Sequence, residues 1–416
     1  MYAPSDAYAR VSAAGDRIFH TAGNFTVEVP VGPVELTVVK GFEFMFQQVK
    51  VEMAPNEVTT LTVDLEPITD MAAKGWYDGS THVHMNYAGN LHNTLQNLMM
   101  MSAAEDQDLV LEQVANKDNR ILDYQFFVPG GGTHPLSTSD RLLVVGQEYR
   151  PPFYGHVFMY GMKDHLISPF TTGYEGTAIE SLYPSNTDML RKAKAQGATT
   201  GYVHAFSGSA DPLEGNLGGA KGFLVDAALG TVDALEWSDA GSGGFYPVYA
   251  AWNNNMRITA VGGEDAISNL HMTATLGAMR TYVRSDNGRR SMDGWLNGLR
   301  DGHAFVTNGP LVEMTVNGRI AGETLELAAG TRTVLVSAQV QSITPLTRAF
   351  LVYNGQEVAE IPLSENRQSG EFQGEVEISG SGWIHLRAVG DPEEYFPLDA
   401  NFAQGFTNPV WMIVDG

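Results

Sequence analysis

The pattern of apolar and polar positions divides the chain into three regions. Residues 1–70 contain short β-branched runs separated by Gly and Pro, with no apolar pattern of helical period. Between residues 71 and 310, strand-like and helix-like runs alternate, which is typical of an α/β fold. Residues 311–416 return to strand-like runs. We therefore predict an α/β domain flanked by an N-terminal and a C-terminal β-sandwich domain.

The two flanking regions are predicted from a few runs that are rich in β-branched and aromatic residues. The runs are 27–30, 34–39 and 59–65 on the N-terminal side and 334–340, 349–353 and 383–388 on the C-terminal side. Gly and Pro residues separate them, as expected for turns between strands.

The clearest helix signal lies in the central region. Ser185 and Asp188 have the spacing of a capping box, with Asp in the position of the usual Glu, and they predict a helix over 189–196. A strand is predicted over 199–206, with His204 at its end. A helix followed by a strand is the repeating unit of an α/β fold.

The composition narrows the classes of function. The formal net charge is −23 at pH 7, and we expect no nucleic-acid partner, because a binder needs a basic face to displace phosphate counterions. The chain has no cysteine, which excludes disulfides, thiolate nucleophiles and Cys-rich zinc sites. No apolar run approaches the roughly 18 residues that suggest a membrane span.

The N-terminus does not have the basic and apolar regions of a signal peptide. The first predicted strand follows soon after it, so we also consider an exported precursor whose signal peptide is absent from this sequence. The compartment and the oligomeric state are left open at this point.

Six side chains that can bind a metal ion fall at or just beyond strand-like runs of the central region. They begin with His82-Val83-His84, where both imidazoles share one face of a strand and can reach one ion. The other four candidates are Glu148, His156, His204 and Asp265. An α/β barrel places its active-site groups at such strand ends. We therefore predict a site for divalent metal ions that uses imidazole and carboxylate ligands.

Each candidate also has a purely structural interpretation. His82 and His84 could bond to the backbone at a strand end, and His156 could be a core histidine bonded to a carbonyl oxygen. Glu148 could lie on the surface beyond its strand, and Asp265 could cap a following helix. The metal site is favoured because five strand ends of one α/β segment carry residues of ligand type.

The segments around these residues resemble the polymerase-and-histidinol-phosphatase (PHP) superfamily, and more narrowly its carbaryl-hydrolase-like CehA/McbA branch. The matching segments are Gly75–His84, Gly146–Glu148, Gly155–Val157, His204, Gly263–Asp265 and Asp301–Pro310. Their order is specific, although each segment alone is not. The resemblance covers about residues 72–310, and the first flank resembles a transthyretin-like regulatory module.

The resemblance implies a distorted seven-stranded (β/α) barrel with metal ions at its C-terminal mouth. It implies that one ion is held by His82, His84 and Asp265. A second ion would be held by His156 and His204, and Glu148 would bridge the two ions.

Two departures from the family pattern concern a third ion. Ile267 stands where the family commonly has the histidine of an Asp-x-His motif. The stretch 86–90 also has no acidic residue after the His-x-His. We therefore expect two divalent ions (Zn, Mn or Fe) rather than three, unless His271 or Glu264 substitutes.

These observations predict a metal-dependent hydrolase. In it, a hydroxide activated by the two ions would cleave an ester, carbamate or amide bond. Glu148 is predicted to be a catalytic residue as well as a metal ligand. His271 and Tyr87 are candidates for proton transfer or oxyanion contact. A PHP-type phosphoesterase and an inactive carbohydrate-binding or surface-binding protein are the alternatives.

The expected partner is a small-molecule substrate. Arg150, Lys221 and Arg280 are possible substrate contacts, although surface positions suit each of them equally. The motif segments are poor in Arg and Lys, whereas phosphate groups usually require several converging cations. The sequence therefore favours an uncharged substrate.

Overall fold

The computed structural model describes residues 3, 9–87, 92–117, 120–167, 180–206, 208–215, 217–238, 243–270, 272–399 and 403–415. Within these residues, the N-terminal region forms two small antiparallel sheets, β1–β2 and β3–β4. The four strands are β1 (Arg10–Val11), β2 (Arg17–Ile18), β3 (Gly32–Val38) and β4 (Gln47–Met53).

Two of the strands predicted in this region do not form. The run 34–39 corresponds to β3, but residues 27–30 and 59–65 have no strand pairing within the described segment 9–87. Val58 and Leu61 are 90% and 45% exposed, so this run has no apolar layer to pack against. The sandwich expected over residues 1–70 stays a prediction.

The central region is a large mixed sheet with few helices, and the predicted α/β class is confirmed. Its strands are β5 (Trp76–His84), β6 (Leu109–Lys117), β7 (Arg120–Leu122), β8 (Leu142–Tyr149), β9 (Val157–Tyr160), β10 (Thr199–Tyr202), β11 (Ala234–Trp237), β12 (Thr259–Gly262), β13 (Ala266–Ile267), β14 (Arg280–Arg284) and β15 (Ala304–Thr307). Its helices are α1 (Leu95–Ala104), α2 (Asn186–Lys194), α3 (Phe223–Ala228), α4 (Phe245–Asn253) and α5 (Met292–Arg300), with short 3₁₀ turns at Ala72–Lys74 and Tyr124–Phe126. No helix in the described residues is both long and apolar enough to cross a membrane.

The pairing of the strands runs in the order β15–β14–β5–β6–β8–β9–β10–β11–β12. Strands β5, β6 and β8 are parallel, as are β10, β11 and β12, whereas β9 is antiparallel to both of its neighbours. A hydrogen bond connects β12 to β14, in which the Gly262 N–H donates to Thr281 Oγ1 at 2.7 Å. The sheet therefore curls back on itself, while the exact seven-stranded barrel stays a prediction.

The predicted capping box is confirmed at the start of α2. Ser185 Oγ accepts the Asp188 N–H at 3.3 Å, and the Asp188 carboxylate accepts the Ser185 N–H at 2.9 Å. The helix buries Met189 and Leu190, and the chain then enters β10. Such a cap contributes about 1 kcal/mol and fixes where α2 begins.

The C-terminal region consists of strands that form two connected layers. They are β16 (Leu311–Val316), β17 (Thr324–Leu327), β18 (Thr333–Gln341), β19 (Leu346–Tyr353), β20 (Gln356–Ile361), β21 (Ser369–Glu377), β22 (Gly382–Gly390), β23 (Gln404–Thr407) and β24 (Val410–Val414). β16, β18 and β21 form a separate antiparallel sheet, and β23 extends the central sheet by pairing with β15. The three strand-like runs predicted here are confirmed as β18, β19 and β22, while a discrete sandwich over 311–416 stays a prediction.

A buried carboxyl group joins the N-terminal region to the central sheet. Glu43 accepts the Met71 N–H at 2.8 Å and the Tyr282 hydroxyl at 3.1 Å. Burial, reinforced by the charge of Asp78, raises the pKa of Glu43 to about 7, although the Met71 N–H acts in the opposite direction. The folded chain therefore holds a proton on Glu43 at pH values at which the unfolded chain has released it.

We expect this group to lower the stability of the fold as the pH rises from about 4.5 to about 7, its pKa values in the unfolded and folded chain. At about 1.4 kcal/mol per pKa unit, the contribution is up to about 3 kcal/mol. Glu43→Gln is neutral at every pH and keeps one acceptor and one donor, so its free energy of unfolding should fall less over this range. Urea unfolding at several pH values measures the difference, with the exposed Glu52→Gln as the control. Parallel pH profiles for Glu43→Gln and the unchanged chain would contradict this assignment.

Candidate metal centre

The six predicted ligand residues lie together at one end of the central sheet. They are His82 and His84 at the end of β5, Glu148 near the end of β8, His156 just before β9, His204 just after β10 and Asp265 after β12. Because β9 runs antiparallel to β8 and β10, its beginning lies beside their ends. His156 thus lies immediately ahead of its strand rather than at the strand's end.

The first group of ligand atoms surrounds the two imidazoles of β5. His82 Nε2 lies 3.2 Å from His84 Nε2. Asp265 Oδ1 is 3.3 Å from His82 Nε2 and 3.5 Å from His84 Nε2. One oxygen of Glu148, Oε2, completes the group at 3.3 Å from His84 Nε2.

The second group uses the other oxygen of the same glutamate. His156 Nδ1 lies 3.1 Å from His204 Nε2. Glu148 Oε1 is 2.8 Å from His156 Nδ1 and 3.4 Å from His204 Nε2. Glu148 Oε2 thus faces His84, whereas Oε1 faces His156 and His204 and is also 3.9 Å from His82 Nε2. His82, His204 and Asp265 also bring ligand atoms within 4.8 Å of one another, so the two groups adjoin.

The spacing of these atoms fits divalent metal ions. Two nitrogen ligands held tetrahedrally at 2.0–2.1 Å from one ion are about 3.3 Å apart. The two imidazole pairs, at 3.2 and 3.1 Å, are close to that separation. Both oxygens of Glu148 are buried, and their close contacts with His156 Nδ1 and Arg150 Nε do not have hydrogen-bond geometry. A buried carboxylate is costly unless positive charge compensates it, and Arg150 supplies part of that charge.

Hydrogen bonds outside the group fix how the β5 imidazoles present their nitrogens. His82 Nδ1 lies 2.9 Å from Glu236 Oε1, and His84 Nδ1 lies 3.1 Å from the carbonyl oxygen of Gln113. Because these partners accept a hydrogen bond from the Nδ1–H of each ring, both Nε2 atoms are left to face the ligand group. Metal-binding histidines in proteins are commonly held in this way.

The electrostatics of the cluster favour positive charge. Burial lowers the pKa of His82, but the carboxylates of Asp265 and Glu236 outweigh it and hold the pKa well above the usual value. Burial acts to raise the pKa of Glu148, but the charge and close contact of His156 hold it well below its usual range. A carboxylate that stays ionised in this position suits a cation site.

Glu236 is a buried residue that the sequence analysis missed. Besides its contact with His82, it accepts the Thr81 hydroxyl at 2.6 Å and the backbone N–H of His204 at 3.1 Å. Gly263 leaves room for it, because a Cβ there would lie 2.5 Å from Glu236 Oε2. The available signal was an acidic residue inside the apolar strand β11, where a charge needs a partner.

Two of the candidate ligands have unusual backbone conformations. His204 and Asp265 have φ angles of 31° and 52°, in the left-handed region that residues other than glycine rarely adopt. Strain of this kind is concentrated at functional sites, where the surrounding structure holds it in place. At His204, the hydrogen bond to Glu236 supplies part of that support.

One side of the ligand cluster is buried, and the other side opens to solvent. The side chains of His82, Glu148 and His84 are 0%, 1% and 3% exposed. Those of His156, His204 and Asp265 are 22%, 30% and 38% exposed. Among the described residues, the ligand atoms are therefore open to water and a substrate on the side of His156, His204 and Asp265.

Tyr87 and Arg150 lie beside this opening. The Tyr87 ring is 4.7 Å from the His84 ring, and the Arg150 guanidinium lies over Tyr87 at 5.0 Å. Arg150 Nε is 3.1 Å from Glu148 Oε2, and Nη1 donates to the Asn116 carbonyl oxygen at 3.0 Å. Both residues therefore lie beside the ligand groups, and their roles as substrate or oxyanion contacts stay predictions.

The remaining predicted residues have different outcomes. Arg280 is wrong as a substrate contact, because it is 1% exposed and forms an ion pair with Asp78 in the core. Lys221 stacks over Phe153 at 4.5 Å. His271 lies outside the described residues. Glu264 accepts the Gly277 N–H at 2.8 Å and is not part of the ligand groups found among the described residues.

No protein-family model and no curated protein matches the chain. Among solved structures, a two-domain protein containing a predicted PHP-like metal-dependent phosphoesterase from Bacteroides vulgatus is 12% identical, with a TM-score of 0.40, over 75% of this chain and 90% of that one. The endonuclease PfuEndoQ from Pyrococcus furiosus is 16% identical, with a TM-score of 0.33, over 54% of this chain and 56% of that one. The structural neighbours thus include PHP-like proteins, but likenesses this distant carry no inference about activity, and the carbaryl-hydrolase-like branch stays a prediction.

The expectation that nucleic acid is excluded as a partner is wrong. Endonuclease Q, in complex with a 27-mer duplex substrate bearing an abasic lesion, is also similar, at 16% identity and a TM-score of 0.31 over 51% of this chain and 53% of that one. A net charge is a sum over the whole surface, whereas a bound cation can dominate the local charge at a site. The charge of −23 therefore does not exclude a phosphate-bearing polymer.

We expect Glu236 to position His82 and His204 rather than to bind metal itself. Glu236→Ala should weaken metal binding about 10–100-fold, because the imidazole and the strained backbone lose their support. Glu236→Gln keeps an acceptor oxygen for both groups and should lose much less affinity. Competition with a chelating dye measures both variants, and exposed Glu357→Gln is the matched control. Equal affinities for Glu236→Ala and the control would exclude a positioning role.

Proposed function

We propose that this chain is a metal-dependent hydrolase with a binuclear centre. The observation that carries the proposal is Glu148, a carboxylate with 1% exposure that lies between two histidine pairs, 2.8–3.9 Å from their four ring nitrogens. His82, His84 and Asp265 would hold one ion, and His156 and His204 the other. The donor set of imidazoles and carboxylates suits Zn, Mn or Fe.

The chain's own residues would perform distinct tasks. Bound divalent ions would act as Lewis acids and make hydroxide available near neutral pH. Glu148 would hold the two halves of the centre at a fixed separation, and Glu236 and the Gln113 carbonyl would hold the β5 imidazoles in one orientation. The exposed side of the cluster would admit the substrate, with Tyr87 beside it as a candidate for contact with an oxygen that gains charge. No nucleophile from the protein is required.

The bond that is cleaved is the less constrained part of the proposal. A phosphoryl group is usually bound by several converging Arg or Lys side chains. Arg150 is the guanidinium seen at the opening in the described residues, and it already contacts Glu148 and Asn116. This limited positive charge supports an ester, carbamate or amide bond in a small molecule. A phosphoester is the alternative that the same centre could cleave.

We expect His82→Ala and His204→Ala each to reduce bound metal and to lower hydrolysis at least about 100-fold, because each removes an imidazole from a different pair. Metal content is measured by elemental analysis after loading with Zn, Mn or Fe. Activity is measured on 4-nitrophenyl acetate, 1-naphthyl N-methylcarbamate and bis-(4-nitrophenyl) phosphate.

His134→Ala is the matched control, because this half-buried histidine lies in a turn and bonds to the Leu136 N–H. Full metal content and turnover in either ligand variant would refute that ligand assignment. If the phosphodiester alone is cleaved, the proposed bond type is wrong while the metal-dependent hydrolase stands.

We also expect about two ions per chain at saturation. Ile267 carries no donor atom, and a third hard cation would need anionic ligands to offset its dehydration. Glu148→Gln should weaken both ions together, because it removes the charge that they share. Isothermal titration and anomalous diffraction give the count and the positions. A third fully occupied ion beside Ile267, or the loss of a single ion from Glu148→Gln, would contradict this model.

A further inference from the structure

A second cavity lies at the other end of the central sheet and has a volume of about 310 Å³. It opens where β12 begins, whereas Asp265 lies beyond the end of that strand. Its walls come from the start of β12, the end of α5 and the C-terminal strands. Its lining includes Arg257, Arg300, His303, Gly322, Asn408 and Trp411.

The cavity has a rigid frame. Gly322 has a φ of 86°, and a Cβ there would lie 2.1 Å from the Asp301 carbonyl oxygen, so only glycine permits this close approach of two turns. The Asn408 side chain accepts the Ala260 N–H at 2.7 Å and donates to the carbonyl oxygens of Ala260 and Ala304 at 2.9 and 3.0 Å. The wall is thus fixed to both β12 and β15.

Two arginines and one carboxylate, that of Asp301, line this cavity. Arg257 Nη1 donates to the Thr324 hydroxyl at 2.9 Å, and Arg300 Nη1 donates to the Thr199 hydroxyl at 2.7 Å. Neither forms an ion pair within the described residues, although the chain has 48 acidic against 25 basic side chains.

Arg257 is exposed and Arg300 is half-buried. Partial burial lowers the pKa of Arg257, and no carboxylate offsets that effect. Two guanidinium groups against the single carboxylate of Asp301 give this cavity a net positive charge in an otherwise acidic chain, which suits an anionic ligand.

The cavity also offers apolar contact. The Arg257 guanidinium lies over the Trp411 ring at 4.9 Å, and Trp411 is 6% exposed. This stacking holds the guanidinium in a fixed plane, with its remaining N–H groups available to a ligand. His303 adds an imidazole to the same wall. A ligand that combines an oxyanion with an apolar body matches this lining.

We propose that this cavity binds a small organic oxyanion, a carboxylate or a phosphate monoester, at a site separate from the candidate metal centre. Arg257 and Arg300 supply the charge and the hydrogen bonds, His303 supplies a further donor, and Trp411 contacts the apolar part. The proposal is independent of the function proposed for the metal centre, because the two sites share none of these residues.

Calorimetric titration of the full chain with benzoate, phenylphosphonate and inorganic phosphate, in buffer of low chloride content, tests the site. Phenylphosphonate stands in for a phosphate monoester and is not hydrolysed. We expect saturable binding of at least one organic anion, weakened at least about tenfold in Arg257→Gln and in Arg300→Gln, because each loses a charged donor. Preference for phenylphosphonate identifies a phosphate monoester, and preference for benzoate identifies a carboxylate.

The matched control is Arg319→Gln, which removes an exposed arginine that pairs with Glu323. Arg257 contacts the fold through one hydroxyl and one ring, so its variant keeps the test valid if Arg300→Gln is unstable. The proposal is overturned if neither organic anion binds saturably, if inorganic phosphate binds as tightly as phenylphosphonate, or if Arg257→Gln binds as the control does.

Discussion

A buried carboxylate, that of Glu148, is the charge around which one end of the sheet is organised. Its side chain is 1% exposed, and neither oxygen forms a hydrogen bond within the described residues. A carboxylate in such a place must be surrounded by positive or polarisable groups. Strands from both parallel stretches of the sheet therefore end here, and the antiparallel β9 begins here, so that imidazoles approach it from several sides.

Acidic groups and imidazoles alternate outward from Glu148. Glu148 faces four imidazoles, and Glu236 lies behind one of them and also holds the backbone of His204. A fixed outer carboxylate increases the basicity of the imidazole that it touches and prevents the ring from turning. The unusual φ of His204 is tolerated because this neighbour restrains it. The same layering that makes the cluster attractive to cations thus also makes it rigid.

The sequence was most informative where chemistry and local geometry coincide. His82-Val83-His84 needed only the two-residue period of a strand, and the Ser185–Asp188 cap needed only its spacing. Glu236 could not be found in this way, because a single acidic residue in a short apolar strand gives no sign of what it contacts. The position of His156 depends on the direction of β9, which is set by pairing with distant strands and leaves no local pattern. The strand predicted over 59–65 was wrong for the same reason. Alternation of apolar and polar residues does not reveal whether a partner strand exists.

The hydrogen-bonded ladder between β15 and β23 crosses the boundary between the central and C-terminal regions. Without β23, β15 would present a row of unpaired N–H and C=O groups along an outer edge, the kind of surface on which chains aggregate. A chain that ended near residue 310 would therefore expose an edge along which copies could pair. The C-terminal strands cover this edge, so the central region depends on them to stay apart from its own copies.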